Sequence, residues 1–517
     1  VSNSPLVCPD SRGQPLTNPV KQNLRRIASI FLPLLGSVVT LMILMRSLFF
    51  SPGYIIYRDL FPGQLYYPML WHSQGSFMAL ENYKFVTFTG LFLPLMGLGL
   101  DVYEKAVYAS AMLIAFLAFY TLAHHLLRCI MEGSFSWSGR HFSSAVAAFI
   151  YVASPAAANI FFDFSLFVGY AFAPLILLLV IQMLDRPRSW PALAVSVAGL
   201  WWMSAIKAHW IVFGAVLLLP PLVVWAIWHW RTQGFAGIIH RARTITVVVI
   251  FYLSFSAYWL VPFLYASGER FVGSYAPMTL EAVTFLSYAP LWDTVRMLGN
   301  FQAWPYVRFE PPSQLLSLPW SLSSLAIPIL AISGLVWQRK RWQVWTLAVF
   351  ALGGIVLAKG MAPPLEGIYQ SLVFGSLTPS SFRWLFRVAS KWNVFLSLGY
   401  CGLSAFALAE LYRRAQTFGW QHPLADQGAA RALGALLTAL LAIPLFTWAS
   451  LTGDFNGALA PVPLPPAMDS ANQWLAAQDG DYKVNWMPVT NGRELTWNPR
   501  PSGAVYTSLA SIPSIDT

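Results

Sequence analysis

Charge is what this chain of 517 residues has least of: Asp, Glu, Lys and Arg together make up 10% of it, against 57% apolar residues. With a mean hydropathy of +0.56, that composition excludes an ordinary soluble domain, in which about a quarter of the residues are charged. Cysteine is nearly absent as well. The three present, Cys8, Cys129 and Cys401, lie far apart and show no CxxC or metal-ligand spacing, so neither a disulfide framework nor a structural zinc is expected. There is no Walker loop, no HExxH and no GxSxG. Tandem repeats and low-complexity tracts are missing too. The polar N-terminus lacks the short apolar region and small-residue cleavage site of a signal peptide, so the first apolar run is expected to stay as an anchor.

Long apolar runs are what remains. A hydrocarbon core about 30 Å thick takes roughly 20 apolar residues per helix, and such runs recur as far as Leu451. They are continuous, not alternating, which argues for helices over a barrel. The expectation is an all-α, polytopic transmembrane helical bundle of about 11 spans. These fall at 27–50, 106–127, 143–161, 167–184, 191–206, 210–228, 244–264, 322–337, 344–357, 394–409 and 432–450.

The net charge of +11 is carried by short basic clusters between the runs, a pattern of membrane orientation and not of nucleic-acid binding. Lys21, Arg25 and Arg26 precede the first run. Arg128 and Arg140, Arg186 and Arg188, Arg231, Arg241 and Arg243, Arg339 to Arg341, and Arg413, Arg414 and Arg431 occupy every second loop thereafter. By the positive-inside rule, the chain is a multi-pass plasma-membrane protein with a cytoplasmic N-terminal tail, 1–26, and a membrane domain, 27–450. Outer loops follow at 51–105, 266–321 and 359–391, and an extracytoplasmic tail at 451–517. This alternation treats 85–100, which is short and broken by Gly90, Pro94, Gly97 and Gly99, as a segment that lies in or dips into the interface. In the tail, a proline-rich connector at 459–466 leads to a short helix at 470–478 and a strand at 482–487. So short a tail buries no core of its own; it either packs on the outer loops or begins a soluble domain of a longer chain.

The outer side is therefore where chemistry is sought. Asp59 is the first carboxylate beyond the first run, flanked by the turn formers Pro52-Gly53 and Pro62-Gly63. Held at the membrane surface, such a carboxylate can accept a proton from a sugar hydroxyl; a solvated loop acid is the competing reading. Lys207 and His209 sit at an outer junction of two runs, where a lysine can hold a lipid phosphate or merely snorkel. Asp163 has the same two readings. Arg383, Arg387 and Lys391, spaced by four, would share one helical face on the side of Asp59 and could clamp a phosphate, with Arg46 near the same end. A basic face for bulk anionic lipid is the alternative.

Taken together, a carboxylate just past the first run, Tyr151-Val-Ala-Ser-Pro155 with Tyr170-Ala-Phe-Ala-Pro-Leu175, and Trp384-Leu-Phe-Arg-Val-Ala-Ser-Lys-Trp392 resemble the GT-C superfamily of integral-membrane glycosyltransferases. Among its members, the likeness is to large arabinofuranosyltransferase-like proteins, and it extends through most of the chain to about Ser450 as scattered short patterns. The resemblance implies a sugar transferred on the outer face from a polyprenyl-phosphate donor to a glycan, lipid or protein acceptor, among membrane lipids and without nucleic acid. It implies Asp59 as the catalytic base, with Arg387 and Lys391, and by position Arg383, Lys207 and His209, at the donor phosphate. It also implies that the tail opens a soluble domain. Many members carry paired acids in the first loop, whereas here Arg58 and Leu60 flank Asp59; that departure puts metal dependence in doubt, so no cofactor is expected, with an unsupported divalent metal as the alternative. The rival functions are a transporter or flippase of lipid-linked glycans, which wants central charge and inverted repeats, and a non-catalytic scaffold subunit.

Overall fold

The structure is a computed structural model that describes residues 19–53, 100–131, 136–161, 164–185, 190–206, 209–266, 279–299, 318–376, 378, 383–386, 388–416, 427–455, 460–463 and 465–478. Among these residues the regular secondary structure is helical, and an isolated bridge joins Tyr288 to Gly360. The order is α1 (Pro19–Leu44), α2 (Arg46–Phe50), α3 (Leu100–Ile130), α4 (Trp137–Ala153), α5 (Pro155–Phe161), α6 (Phe164–Asp185), α7 (Trp190–Ile206) and α8 (His209–Ala266). There follow α9 (Leu280–Ser287), α10 (Leu291–Val295), α11 (Leu318–Ser323), α12 (Ala326–Gln338), α13 (Trp342–Ala358), α14 (Glu366–Phe374), α15 (Asn393–Ala415), α16 (Gln427–Phe446), α17 (Trp448–Leu451) and α18 (Pro466–Ala476).

Each of the predicted apolar runs lies on helix. Eight stretches are long and apolar enough to cross a membrane, and the pair α4 and α5, bent by 51°, brings the number to nine. The bend falls at Ser154-Pro155, where proline has no N–H to give and Ser154 is extended. The other two predicted spans are α7 and α13, each of 17 residues. Two spans, His209–Trp230 and Thr232–Tyr258, are limbs of α8. They fold back on one another at Gly234, whose φ of 61° leaves the helix. The guanidinium of Arg241 consequently lies 5.5 Å over the ring of Trp225, a pair that a straight helix would hold about 24 Å apart.

The bundle is organised around α15, every residue of which is buried from Asn393 to Leu411. Lipid tails are as apolar as leucine, so helices in a membrane associate through close packing of small residues. Gly334 on α12, Gly354 on α13 and Gly399 on α15 supply it: a Cβ there would fall 2.0 Å from the Leu403 oxygen, 2.5 Å from the Leu396 nitrogen and 2.5 Å from the Leu347 oxygen, respectively. The outermost helices keep apolar side chains exposed, as in Phe31 and Ile30 of α1, Phe255 and Val261 of α8, and Leu441 of α16. Among the described residues Cys401 is a free, buried thiol. Cys129, against expectation, is disulfide-bonded.

Contacts sort the helix ends into two sets. At one end Lys105 Nζ donates to the Ser51 carbonyl (2.8 Å), Arg46 Nη1 to that of Leu451 (3.0 Å), Ser450 Oγ to that of Ala153 (2.7 Å) and Asn159 Nδ2 to that of Leu298 (3.0 Å). At the other, Tyr412 meets Phe142 (5.4 Å between ring centroids) and Ser138 (3.4 Å), and Arg414 lies 5.0 Å over Trp337.

Candidate functional site

Three short segments converge at the first of these ends, over the start of α15. The Ala289 N–H donates to the Lys359 carbonyl (3.1 Å), the Met361 N–H to that of Ser287 (2.9 Å), and the Ala389 N–H to Ser287 Oγ (3.1 Å). Tyr369 of α14 donates to the Phe386 carbonyl, and burial pushes its phenol up from the ordinary tyrosine value. Lys359, buried at the end of α13, donates to the Ala362 carbonyl; burial pulls its ammonium below the usual lysine range, against the opposing charge of Glu366.

The bond from Ala389 overturns one expectation. Arg383 and Lys391 do not share a helical face, because the segment between them is two 3-10 turns, Trp384–Phe386 and Ala389–Trp392, parted by an extended Val388 (φ −123°, ψ 99°). An α-helix would need the Ala389 N–H for the Leu385 carbonyl, but Ser287 takes it. Stacking of Phe386 on Trp392, 5.6 Å between centroids, fixes the tighter path. Arg383 turns to its own loop, donating from Nε to the Thr378 carbonyl (3.2 Å) and from Nη2 to that of Gly375 (2.9 Å).

Lys391 goes elsewhere. Its Nζ lies 3.1 Å from Nε2 of His209, the first residue of α8. The two positions are far apart in sequence and were joined only as members of one proposed site. An ammonium has protons only to give, so Nε2 accepts and the imidazole proton belongs on Nδ1. An aromatic floor holds the pair: Phe213, one turn after His209, meets Trp210 (5.3 Å), Trp392 (4.9 Å) and Phe395 (5.2 Å). Trp210 itself fits only because residue 169 is glycine, where a Cβ would fall 1.9 Å from the indole.

Sequence reasoning missed three buried polar side chains. Asn393, two residues beyond Lys391, is wholly buried with no hydrogen-bond partner for Oδ1 or Nδ2 among the described residues, and it lies against Gly299 (φ 59°), where a Cβ would come 2.6 Å from Nδ2. No motif marks it. Glu104 and Lys105 are both buried at the start of α3, and Lys105 ties that start to Ser51 at the foot of the first loop. Their signal was present in the sequence, since buried charge ahead of an apolar run demands partners. Arg46 is exposed and serves the turn after α17, packed on Gly453, where a Cβ would meet it at 2.4 Å. Asp59, Lys207, Arg387 and Asp163 lie outside the described residues, as do 54–99 and the predicted strand at 482–487. Among the described residues no group of three or more His, Cys, Asp or Glu is placed to hold a metal ion.

No protein-family model and no curated protein matches the sequence. Solved structures do. The cryo-EM structure of the arabinofuranosyltransferase AftD from mycobacteria matches 95% of this chain with a TM-score of 0.59 at 17% identity, over 31% of its own length. A mutant of AftD matches 95% with a TM-score of 0.58 at 16% identity, over 33% of its length. The chain thus spans about a third of the length of the structures it matches, and at that identity the likeness is one of fold. The GT-C-like resemblance read from the sequence and this fold agree.

Proposed function

We propose that the chain is the membrane part of a glycosyltransferase of the cell envelope, moving a sugar from a polyprenyl-phosphate donor to a glycan, lipid or protein acceptor. The end that gathers Ser51, Ala153, Leu298, His209 and Lys391 faces out of the cell. Asp59 takes the proton from the acceptor hydroxyl. Lys391, oriented by His209, and with them Arg387 and Lys207, hold the donor phosphate, while Arg383 shapes the loop at 375–383. The observation that carries this reading is the contact of Lys391 with His209: it unites two segments proposed for one phosphate, on a fold of the AftD kind. AftD is named for arabinofuranosyl transfer, which makes a pentofuranosyl donor the first to try.

A transferase converts lipid-linked sugar to product, whereas a flippase moves it unchanged. The reconstituted protein is therefore expected to pass labelled sugar from a polyprenyl-phosphate donor to acceptor. Lys391→Met is expected to weaken donor binding about tenfold, as the loss of one charge-assisted contact to phosphate. Translocation of intact donor without transfer, or unaltered donor affinity in Lys391→Met, would refute the reading.

A further inference from the structure

At the opposite end of the bundle, α3 and α4 hold a second cluster of titratable side chains that the proposed transfer does not use. The Tyr120 hydroxyl is hydrogen-bonded to Nδ1 of His141. The ring of His141 lies 4.7 Å from that of His124 and 4.2 Å from that of Trp137, while Tyr120 stacks on His124 at 5.9 Å. Aromatic packing accounts for the rings but not for their nitrogens. Nε2 of His124 and Nε2 of His141 are each buried and meet no hydrogen-bond partner among the described residues. A buried nitrogen without a partner is costly, and two in adjoining rings call for a ligand.

Electrostatics selects the ligand. Among the described residues the side chains whose charges act on His124 are His141, Arg140, Arg128 and His125, all of one sign when charged. A metal cation would add to that sign, whereas an anion would relieve it. Tyr120 occupies Nδ1 of His141, which leaves Nε2 as the atom that can turn to the ligand. Exposure is graded from Arg128, exposed, through half-buried Arg140, His124 and Trp137, to buried His141. The cluster therefore leads inward from the surface. It lies at the ends of two membrane-crossing helices, the depth at which lipid head groups sit, and basic pockets between such helices are suited to head-group phosphates.

We propose that His124, His141, Arg140 and Arg128 form a binding site for a phosphate group, that of an anionic phospholipid head group docked between α3 and α4. The test places the protein in phosphatidylcholine nanodiscs with and without phosphatidylglycerol, and separately with inorganic phosphate, and follows the thermal unfolding midpoint. Phosphatidylglycerol is expected to raise the midpoint by mass action. His124→Gln and Arg128→Gln are each expected to weaken its apparent affinity about tenfold; Arg128 is exposed, so its replacement leaves the fold intact. A response to inorganic phosphate alone, lost in the same variants, would keep the chemistry and overturn the lipid as its source. An equal response to phosphatidylglycerol in all three proteins would overturn the site, because bilayer charge alone would then explain it.

Discussion

Asp59→Asn is expected to lower sugar transfer by about 10²- to 10⁴-fold, the range contributed by a positioned general base, while the protein inserts and binds donor as before. The amide keeps the shape of the carboxylate and loses its capacity to take a proton. What lends Asp59 this weight is the way its loop begins. The Ser51 carbonyl is held by Lys105 at 2.8 Å, and the backbone of Val462 crosses so close to Gly53 that a Cβ there would fall 2.6 Å from it. With φ at 105° as well, Gly53 is fixed as glycine by conformation and by space. Six residues of sequence separate Asp59 from that anchor. Transfer within about twofold of wild type in Asp59→Asn would remove it as the base.

The largest structural effect is expected at the centre of the bundle. Gly399→Val would set a branched side chain against the Ala351 nitrogen and the Leu347 oxygen, each 2.5 Å from where a Cβ would lie. These are backbone atoms of α13 and cannot rotate aside. Either the two helices separate or the chain fails to pack, at a cost of about 3 kcal/mol. The expected result is loss of the monodisperse species on heating in detergent at temperatures the wild type survives. Gly353 supplies the control: a Cβ there meets nothing within 4 Å, so Gly353→Ala should behave as wild type or better. Equal behaviour of the two variants would mean that α13 and α15 are not in close contact.

Much of this architecture was legible from apolar runs, because membrane helices must satisfy their own backbone and so declare themselves by length. The finer geometry was not. A spacing of four suggested one face for Arg383, Arg387 and Lys391, yet the hydrogen bond that decides the local path comes from Ser287, a hundred residues upstream. Periodicity carries no information about such a partner. The contact between His209 and Lys391 depends on where the starts of α8 and α15 meet, which only packing decides. Asn393 gave no signal at all: an asparagine opening an apolar run reads as a helix cap, and only its burial without partners among the described residues sets it apart. Glu104 and Lys105 could have been found, as charges placed where an apolar run begins.

The central claim is that a lipid-phosphate sugar donor is held where the start of α8 meets the start of α15. A polyprenyl-phosphate sugar carrying a photoactivatable group in its first isoprene unit, irradiated with the reconstituted protein and mapped by mass spectrometry, tests it directly. Labelling is expected on peptides containing His209 and Ala389–Trp392, suppressed by unlabelled donor and weakened in Lys391→Met. Labelling confined to the end of the bundle that carries Tyr412 and Trp337, or spread evenly over the lipid-facing helices and indifferent to competitor, would contradict it.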